Sequence, residues 1–174
     1  MMAEAIPFTF NGPDGLIKAT FGEATTEQQV QCSKLAATAF SSPLSEEAYM
    51  ERERYLSQRP LVRDGGWRCW CLFRTDNPAY ILATCKTIRR DIFIRDEHTV
   101  HKELGFCISS FITDPRYRQL GLGSLLLRCV AEWMDGPGNA TVSMLYTSIG
   151  EVSTRTCHHL RPIHLSNRII VLCQ

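Results

Sequence analysis

The sequence predicts a single α/β domain, and three observations carry that expectation. Residues 67–74 and 79–88 alternate in the period-2 manner of strands. Leu122, Leu125, Leu126, Cys129, Val130 and Trp133 recur at i, i+3 and i+4, the stripe of an amphipathic helix. A glycine-bearing junction, Gly121-Leu122-Gly123, stands at the start of that helix and follows a strand-like segment.

The elements follow in order. Leu16 to Phe21 alternates and ends on an aromatic, which suits a first strand. Thr25 and Thr26 each precede a glutamine by three residues, giving two possible capping boxes. Behind them Cys32, Leu35, Ala36, Ala39 and Phe40 keep helical spacing, and Ser41-Ser42-Pro43 ends the helix because proline disfavours helical geometry in the preceding residue. A second helix starts at Ser45, with Leu44 and Tyr49 spaced for a hydrophobic staple, and runs through Glu46 to Gln58.

Two strands come next. Trp67, Cys69, Cys71 and Phe73 share one face of the first, and Arg68, Trp70, Leu72 and Arg74 the other. Thr75-Asp76-Asn77-Pro78 is turn chemistry, after which Ala79 to Ile88 resumes the alternation. The polar run Arg89 to Lys102 reads as a loop or a frayed hairpin tip, and Gly105 to Thr113 as a further strand. Past the loop Asp114 to Leu120 comes the amphipathic helix, stopped by Asp135-Gly136-Pro137-Gly138. Thr141 to Tyr146 is the next strand, so the expected order is β-α-α-β-β-β-α-β.

Composition narrows the classes. With 44% hydrophobic and 21% charged residues the chain reads as globular. Nineteen Lys and Arg against eighteen Asp and Glu give no argument for nucleic acid or an anionic membrane as partner. No basic n-region opens the sequence and no stretch approaches the ~20 apolar residues of a membrane helix, so the expected location is the cytoplasm. Of the eight cysteines, Cys32, Cys69, Cys71, Cys85, Cys107 and Cys129 fall within apolar-periodic segments, as buried free thiols do. No C-x-x-C pair occurs, and Cys157-His158-His159 with His164 is poor zinc spacing, so no metal is expected.

The chemistry concentrates in Ile112-Thr113-Asp114-Pro115-Arg116-Tyr117-Arg118-Gln119-Leu120-Gly121-Leu122-Gly123-Ser124. A helix N-terminus presents unpaired N–H groups and the positive end of the helix dipole. Glycines at 121 and 123 remove Cβ atoms that would keep a phosphate from those amides, and Arg116 and Arg118 add positive charge. The expectation is a pyrophosphate cradle. A Rossmann fingerprint would need a small residue where Leu126 stands, and a P-loop would need Gly-Lys-Ser/Thr.

Arg118-Gln119-Leu120-Gly121-Leu122-Gly123, with its lead-in Pro115-Arg116-Tyr117-Arg118, resembles motif A of the GNAT acetyltransferases, Arg/Gln-x-x-Gly-x-Gly/Ala. The resemblance covers about residues 16–151. It implies the GNAT fold, a mixed and mostly antiparallel sheet flanked by helices, with acetyl-CoA lying in a wedge between two splayed strands, here 105–113 and 141–146. It also implies that backbone groups near Phe111, Ile112 and Thr113 hold the pantetheine and thioester carbonyl. Arg118 and the amides of Gln119, Leu120, Gly121, Leu122, Gly123 and Ser124 would hold the pyrophosphate. The acceptor would be a small-molecule amine that attacks the thioester directly. Leu145-Tyr146-Thr147-Ser148-Ile149-Gly150 looks like the corresponding segment of fungal lysine N6-acetyltransferases of lysine breakdown, with Thr147-Ser148 in place of Ser-Asp.

Proton handlers are less defined. Glu103 and His101 either act as a base through water or are solvated loop residues, and Tyr146 either contacts substrate or packs along the Val142–Met144 face. The family's tyrosine acid, on a helix after the last of these strands, has no counterpart. After Glu151 the pattern changes, and Val152-Ser153 is what a GT-rich 5′ splice site read in frame encodes. The expectation is therefore an incomplete acetyl-CoA-binding domain over 1–151, followed by a tail at 152–174 that supplies none of the family's later strands.

Overall fold

The computed structural model describes residues 5–13, 15–60, 62–63, 65–95, 98–147 and 168–173; for 146–147 and 168–173 it describes the backbone alone. Strands β1 (Ile6–Gly12) and β2 (Gly15–Glu23) form a hairpin. Helices α1 (Thr26–Phe40) and α2 (Glu46–Ser57) follow, then β3 (Trp67–Arg74), β4 (Ile81–Arg95) and β5 (Val100–Thr113). A 3-10 turn at Pro115–Tyr117 leads to α3 (Leu122–Asp135), and β6 (Val142–Thr147) and β7 (Arg168–Cys173) close the order. All seven strands join one sheet in sequence order, antiparallel from β1 to β5 and parallel from β5 to β7.

Local chemistry sets most boundaries. The first expected capping box forms: the Thr25 hydroxyl accepts from the Gln28 amide at 3.3 Å, and Gln28 Oε1 accepts from the Thr25 amide at 3.0 Å. Thr26 is already helical, so the second box has no cap to serve. Ser45 caps α2 through the Ala48 amide. Tyr49 does not serve as an exposed staple, because its ring turns inward against Ala36, Ala37 and Ile112.

Each face of the sheet carries its own core. On one side α3 lays Leu122, Leu126, Cys129, Val130 and Trp133 over Phe21, Trp70, Leu72, Cys85, Phe106 and Ile108. Trp70 stacks on Phe21 at 5.6 Å between ring centroids and meets Trp133 at 4.7 Å, while its indole N–H donates to the Thr87 hydroxyl at 2.9 Å. On the other side α1 covers Cys69, Cys71 and Ile81, with Trp67 and Phe73 at the margin, so the two faces of β3 divide as its alternation requires. The six described cysteines that bear on the core are free thiols, and burial pushes those of Cys85 and Cys129 up from the ordinary value, as expected of inert packing groups.

Three expectations need correction. The sheet begins one strand earlier, because Phe8 and Phe10 alternate against the partly buried flank of the core. The run 89–102 is no loop: β4 continues to Arg95 and β5 starts at Val100, paired across from it. Its polar residues belong to a hairpin arm whose exposed faces leave Phe93 and Val100 largely in solvent. Finally, a strand does follow β6, since Arg168–Cys173 pairs with Val142–Thr147.

Candidate acyl-transfer site

The junction between β5 and α3 is built from both ends. Asp114 accepts from the Arg116 amide at 2.9 Å and from the Tyr80 hydroxyl at 3.1 Å, fixing the turn. Tyr117 is buried and meets Phe10 and Tyr80 edge-on, so it anchors the loop in the core. Gln119 and Gly121 both adopt positive φ, +64° and +76°, which aims the chain into α3. Gly121 stands at the N-cap in the left-handed region and supplies no side-chain cap. The first amides of α3 are thereby left to face an anion.

The second glycine has a different role from the expected one. A Cβ on Gly123 would meet Phe111 Cζ at 2.9 Å and Thr113 Oγ1 at 3.2 Å. Its bareness lets the helix start pack against the end of β5, whereas Gly121 has open space around it. Arg118 is exposed, its Nε directed to the Thr113 carbonyl at 3.4 Å, and Leu120 is also exposed.

Beside this junction the sheet opens. Pairing of β5 with β6 runs from Gly105–Val142 to Ile108–Leu145 and ends there, although β5 continues to Thr113 and β6 to Thr147. At the same place the β4–β5 register slips between Thr84–Ile112 and Lys86–Ser109. Four steps on β5's side then stand against two on β4's, which inserts Ser110, at φ +51°, as a bulge. The bulge turns Phe111 toward α3 and Ile112 toward α2. Phe111, Ile112 and Thr113 thus lie where β5 has left β6, and the sequence placed them there.

Opposite α3, a cleft of about 820 Å³ separates α1 from α2, walled by Val30, Met50 and Glu46 and floored by Trp67, Glu53 and Lys86. Lys86 pairs with Ser109, so the floor reaches the bulge. Glu53 and Lys86 form an ion pair, and Arg52 also reaches Glu53, at 3.0 Å; the two floor side chains are only 13% and 14% exposed. Burial raises the Glu53 carboxyl pKa, but the hydrogen bond and charge of Lys86, aided by Arg52, outweigh it and hold the group below its ordinary value. A lowered folded-state pKa means stability that is present above the unfolded value and lost as pH falls through the folded one. Thermal midpoints from pH 7 down to pH 3 should therefore drop less steeply for Glu53→Gln than for the unaltered chain. Equal acid limbs would show that the pair contributes nothing.

The expected proton handlers are not gathered here. Glu103 pairs across from Ile92, seven residues before the bulge, or about 20 Å along an extended strand. Its carboxylate accepts from the Thr141 hydroxyl at 2.7 Å and lies 3.5 Å from His101. The backbone of Tyr146 sits just past the last β5–β6 pair, and its side chain lies outside the described residues, as do Ser148-Ile149-Gly150 and Cys157-His158-His159 with His164. Among the described residues no group of three or more His, Cys, Asp or Glu is placed to hold a metal ion, and no helix is long and apolar enough to cross a membrane. Sequence reading missed the bulge, since Ser109-Ser110 carries no signal for one, and the cleft, which arises only when the two helices pack.

Comparison with known proteins agrees with this geometry. No curated protein matches the sequence. Similar solved structures include glucosamine-6-phosphate N-acetyltransferase from Arabidopsis thaliana, 14% identical with a TM-score of 0.58, covering 90% of this chain and 97% of that one. AAC(6')-Iy in complex with the bisubstrate analogue CoA-S-monomethyl-acetylneamine is 11% identical at TM-score 0.57 with the same coverages. The aminoglycoside 6'-N-acetyltransferase AAC(6')-Ih from Acinetobacter baumannii is 13% identical at 0.54, again covering 90% and 97%. At such identities the likeness is one of fold. The acetyltransferase (GNAT) family matches residues 31–158, which include both helices of the cleft, the bulge and the glycine junction. The chain belongs to the acetyltransferase (GNAT) family and is an acyltransferase.

Proposed function

We propose that the protein transfers an acetyl group from acetyl-CoA to a small primary amine, with free lysine the leading candidate. The observation that carries this reading is the uncapped start of α3, with Gly121 in the left-handed region, beside the point where β5 parts from β6. The amides of Gln119 to Ser124, with Arg118, would take the pyrophosphate. Backbone groups of Phe111, Ile112 and Thr113 would take the pantetheine and polarise the thioester carbonyl.

The gap in the sheet joins two sides with different chemistry. The phosphate cradle belongs to the α3 side, and the cleft over Glu53 and Lys86 belongs to the α1–α2 side. An amine entering from the cleft would meet the thioester at the bulge, and positioning would supply most of the rate. A cleft with carboxylates at Glu46 and Glu53 suits an ammonium-bearing acceptor. Glu103 would act only through a chain of water, given its distance along β5, and Tyr146 stands at the wall of the gap formed by β6. The choice of lysine rests on the resemblance of Leu145 to Gly150 to lysine acetyltransferases; the relatives named for glucosamine-6-phosphate and aminoglycosides keep amino sugars as the competing class.

The test is to titrate the chain with acetyl-CoA by calorimetry and then follow thiol release with lysine, glucosamine 6-phosphate, an aminoglycoside and a peptide with a free N-terminus. Lysine is expected to give the highest kcat/KM. Preference for an amino sugar would overturn the acceptor and leave the donor standing. Binding of acetyl-CoA with no turnover on any amine would make the protein a coenzyme A-binding module.

A further inference from the structure

Acyl transfer from a thioester expels a thiolate, and departure is faster when a proton reaches sulfur as the carbon–sulfur bond breaks. The bulge in β5 has one acid built against it. Tyr49 lies one turn into α2, 1% exposed, and its ring packs on Ile112 of β5 and on Ala36 and Ala37 of α1. Beside its phenol lies the side chain of Ser110. The residue therefore touches both neighbours of Phe111, the two positions between which β5 changes course after leaving β6.

A tyrosine recruited only to fill this core would turn its hydroxyl to solvent, where the hydrogen bond is free. Here the hydroxyl points at the irregular strand instead. The charged groups around it are Glu53 and Arg52 on its own helix and Lys86 on β4, while α1 contributes only alanines. Burial, with the negative charge of Glu53, raises the phenol above its ordinary value, against the opposing pull of Lys86, Arg52 and the Ser110 hydroxyl. The group consequently holds its proton at neutral pH.

We propose that Tyr49 is the general acid of the reaction, handing its phenolic proton to the sulfur of coenzyme A as the thioester is cleaved. The inference rests on the acetyl-transfer reading above. In the step the neutral amine nitrogen bonds to the carbonyl carbon, the carbon–sulfur bond breaks, and the phenolic proton passes to sulfur. The phenolate then recovers, through water, the proton lost by the nitrogen that has become an amide. Amine and thioester give amide and thiol, and Tyr49 ends as it began.

Tyr49→Phe keeps the ring and its packing and removes only the proton. The experiment measures three quantities for both chains: the dissociation constant for acetyl-CoA, the thermal midpoint, and the rate of thiol release with saturating hydroxylamine, a small nucleophile that needs no specific acceptor pocket. The expected result is an unchanged constant and midpoint with kcat lowered about 100-fold, within the range of a lost general acid. A structural role would instead move the midpoint or the constant. Thiol release from Tyr49→Phe at the unaltered rate would overturn the proposal, and so would an unaltered chain that binds acetyl-CoA but does not accelerate its cleavage by hydroxylamine. If the unaltered chain failed to bind acetyl-CoA, the donor reading itself would fall, which the titration records separately.

Discussion

Gly121→Glu is expected to weaken acetyl-CoA binding at least about 100-fold while leaving the protein folded. Two effects act on the ligand together. Gly121 sits at φ +76°, and a residue with a Cβ pays roughly 1–2 kcal/mol to hold the left-handed region, or else lets the turn relax and re-aims the α3 amides. The new carboxylate also stands at the N-cap, where it repels phosphate and competes for the same N–H groups. About 1.4 kcal/mol is a factor of ten, so strain and repulsion together reach the stated loss. Stability should move little, because a carboxylate at a helix N-terminus returns about 0.3–1 kcal/mol to the fold. Gly121→Ala, which carries the strain without the charge, should lose about tenfold. Calorimetry on both variants checks the ranking, and a Gly121→Glu chain that binds within threefold of the original would remove α3 from the phosphate site.

The split between strain and charge also shows why the motif was readable. Left-handed φ demands glycine, and an uncapped helix start demands an absent side chain, so both requirements surface as letters in the sequence. The same holds for Thr25 and Gln28, whose reciprocal bonds need those two side chains at that spacing, and for the alternation of β3, which sorts Cys69 and Cys71 from Trp70 and Leu72. Features created by pairing were not readable. The bulge at Ser110 comes from a register mismatch between β4 and β5, and either strand alone looks regular. The arm from Arg89 to Lys102 is polar because both its faces are solvated, so composition disguised a strand as a loop. Tyr49 satisfied a helix-start rule, and only the packing of α2 over β5 gave it a second neighbour. Gly123 was noticed for the right reason, a missing Cβ, but the space it leaves holds Phe111 and Thr113.

Trp70→Ala should separate the scaffold from the site in the opposite direction. Trp70 is fully buried at the centre of the larger core, between Phe21 and Trp133, and donates to a Thr87 hydroxyl that is itself buried. Truncating a core aromatic costs about 3–5 kcal/mol, and the abandoned Thr87 belongs to the upper part of that range. Domains of this kind are held by about 5–15 kcal/mol, so a third or more of the stability goes. For a chain of this length each kcal/mol is about 2–4 °C, which places the expected fall in thermal midpoint near 10 °C or more. Trp70→Phe keeps the stack and loses only the N–H, and should cost about 1–3 kcal/mol. Trp133, which leans on Trp70, lies three turns along α3 from the glycine junction, and the contacts that fix that junction are Phe111, Thr113 and Asp114 on β5 and its turn. At temperatures where Trp70→Ala stays folded, its affinity for acetyl-CoA should therefore remain within about threefold of the unaltered chain. A loss of affinity as large as that of Gly121→Glu would mean that the cradle is held by the core beneath α3, and that the β5 junction does not position it alone.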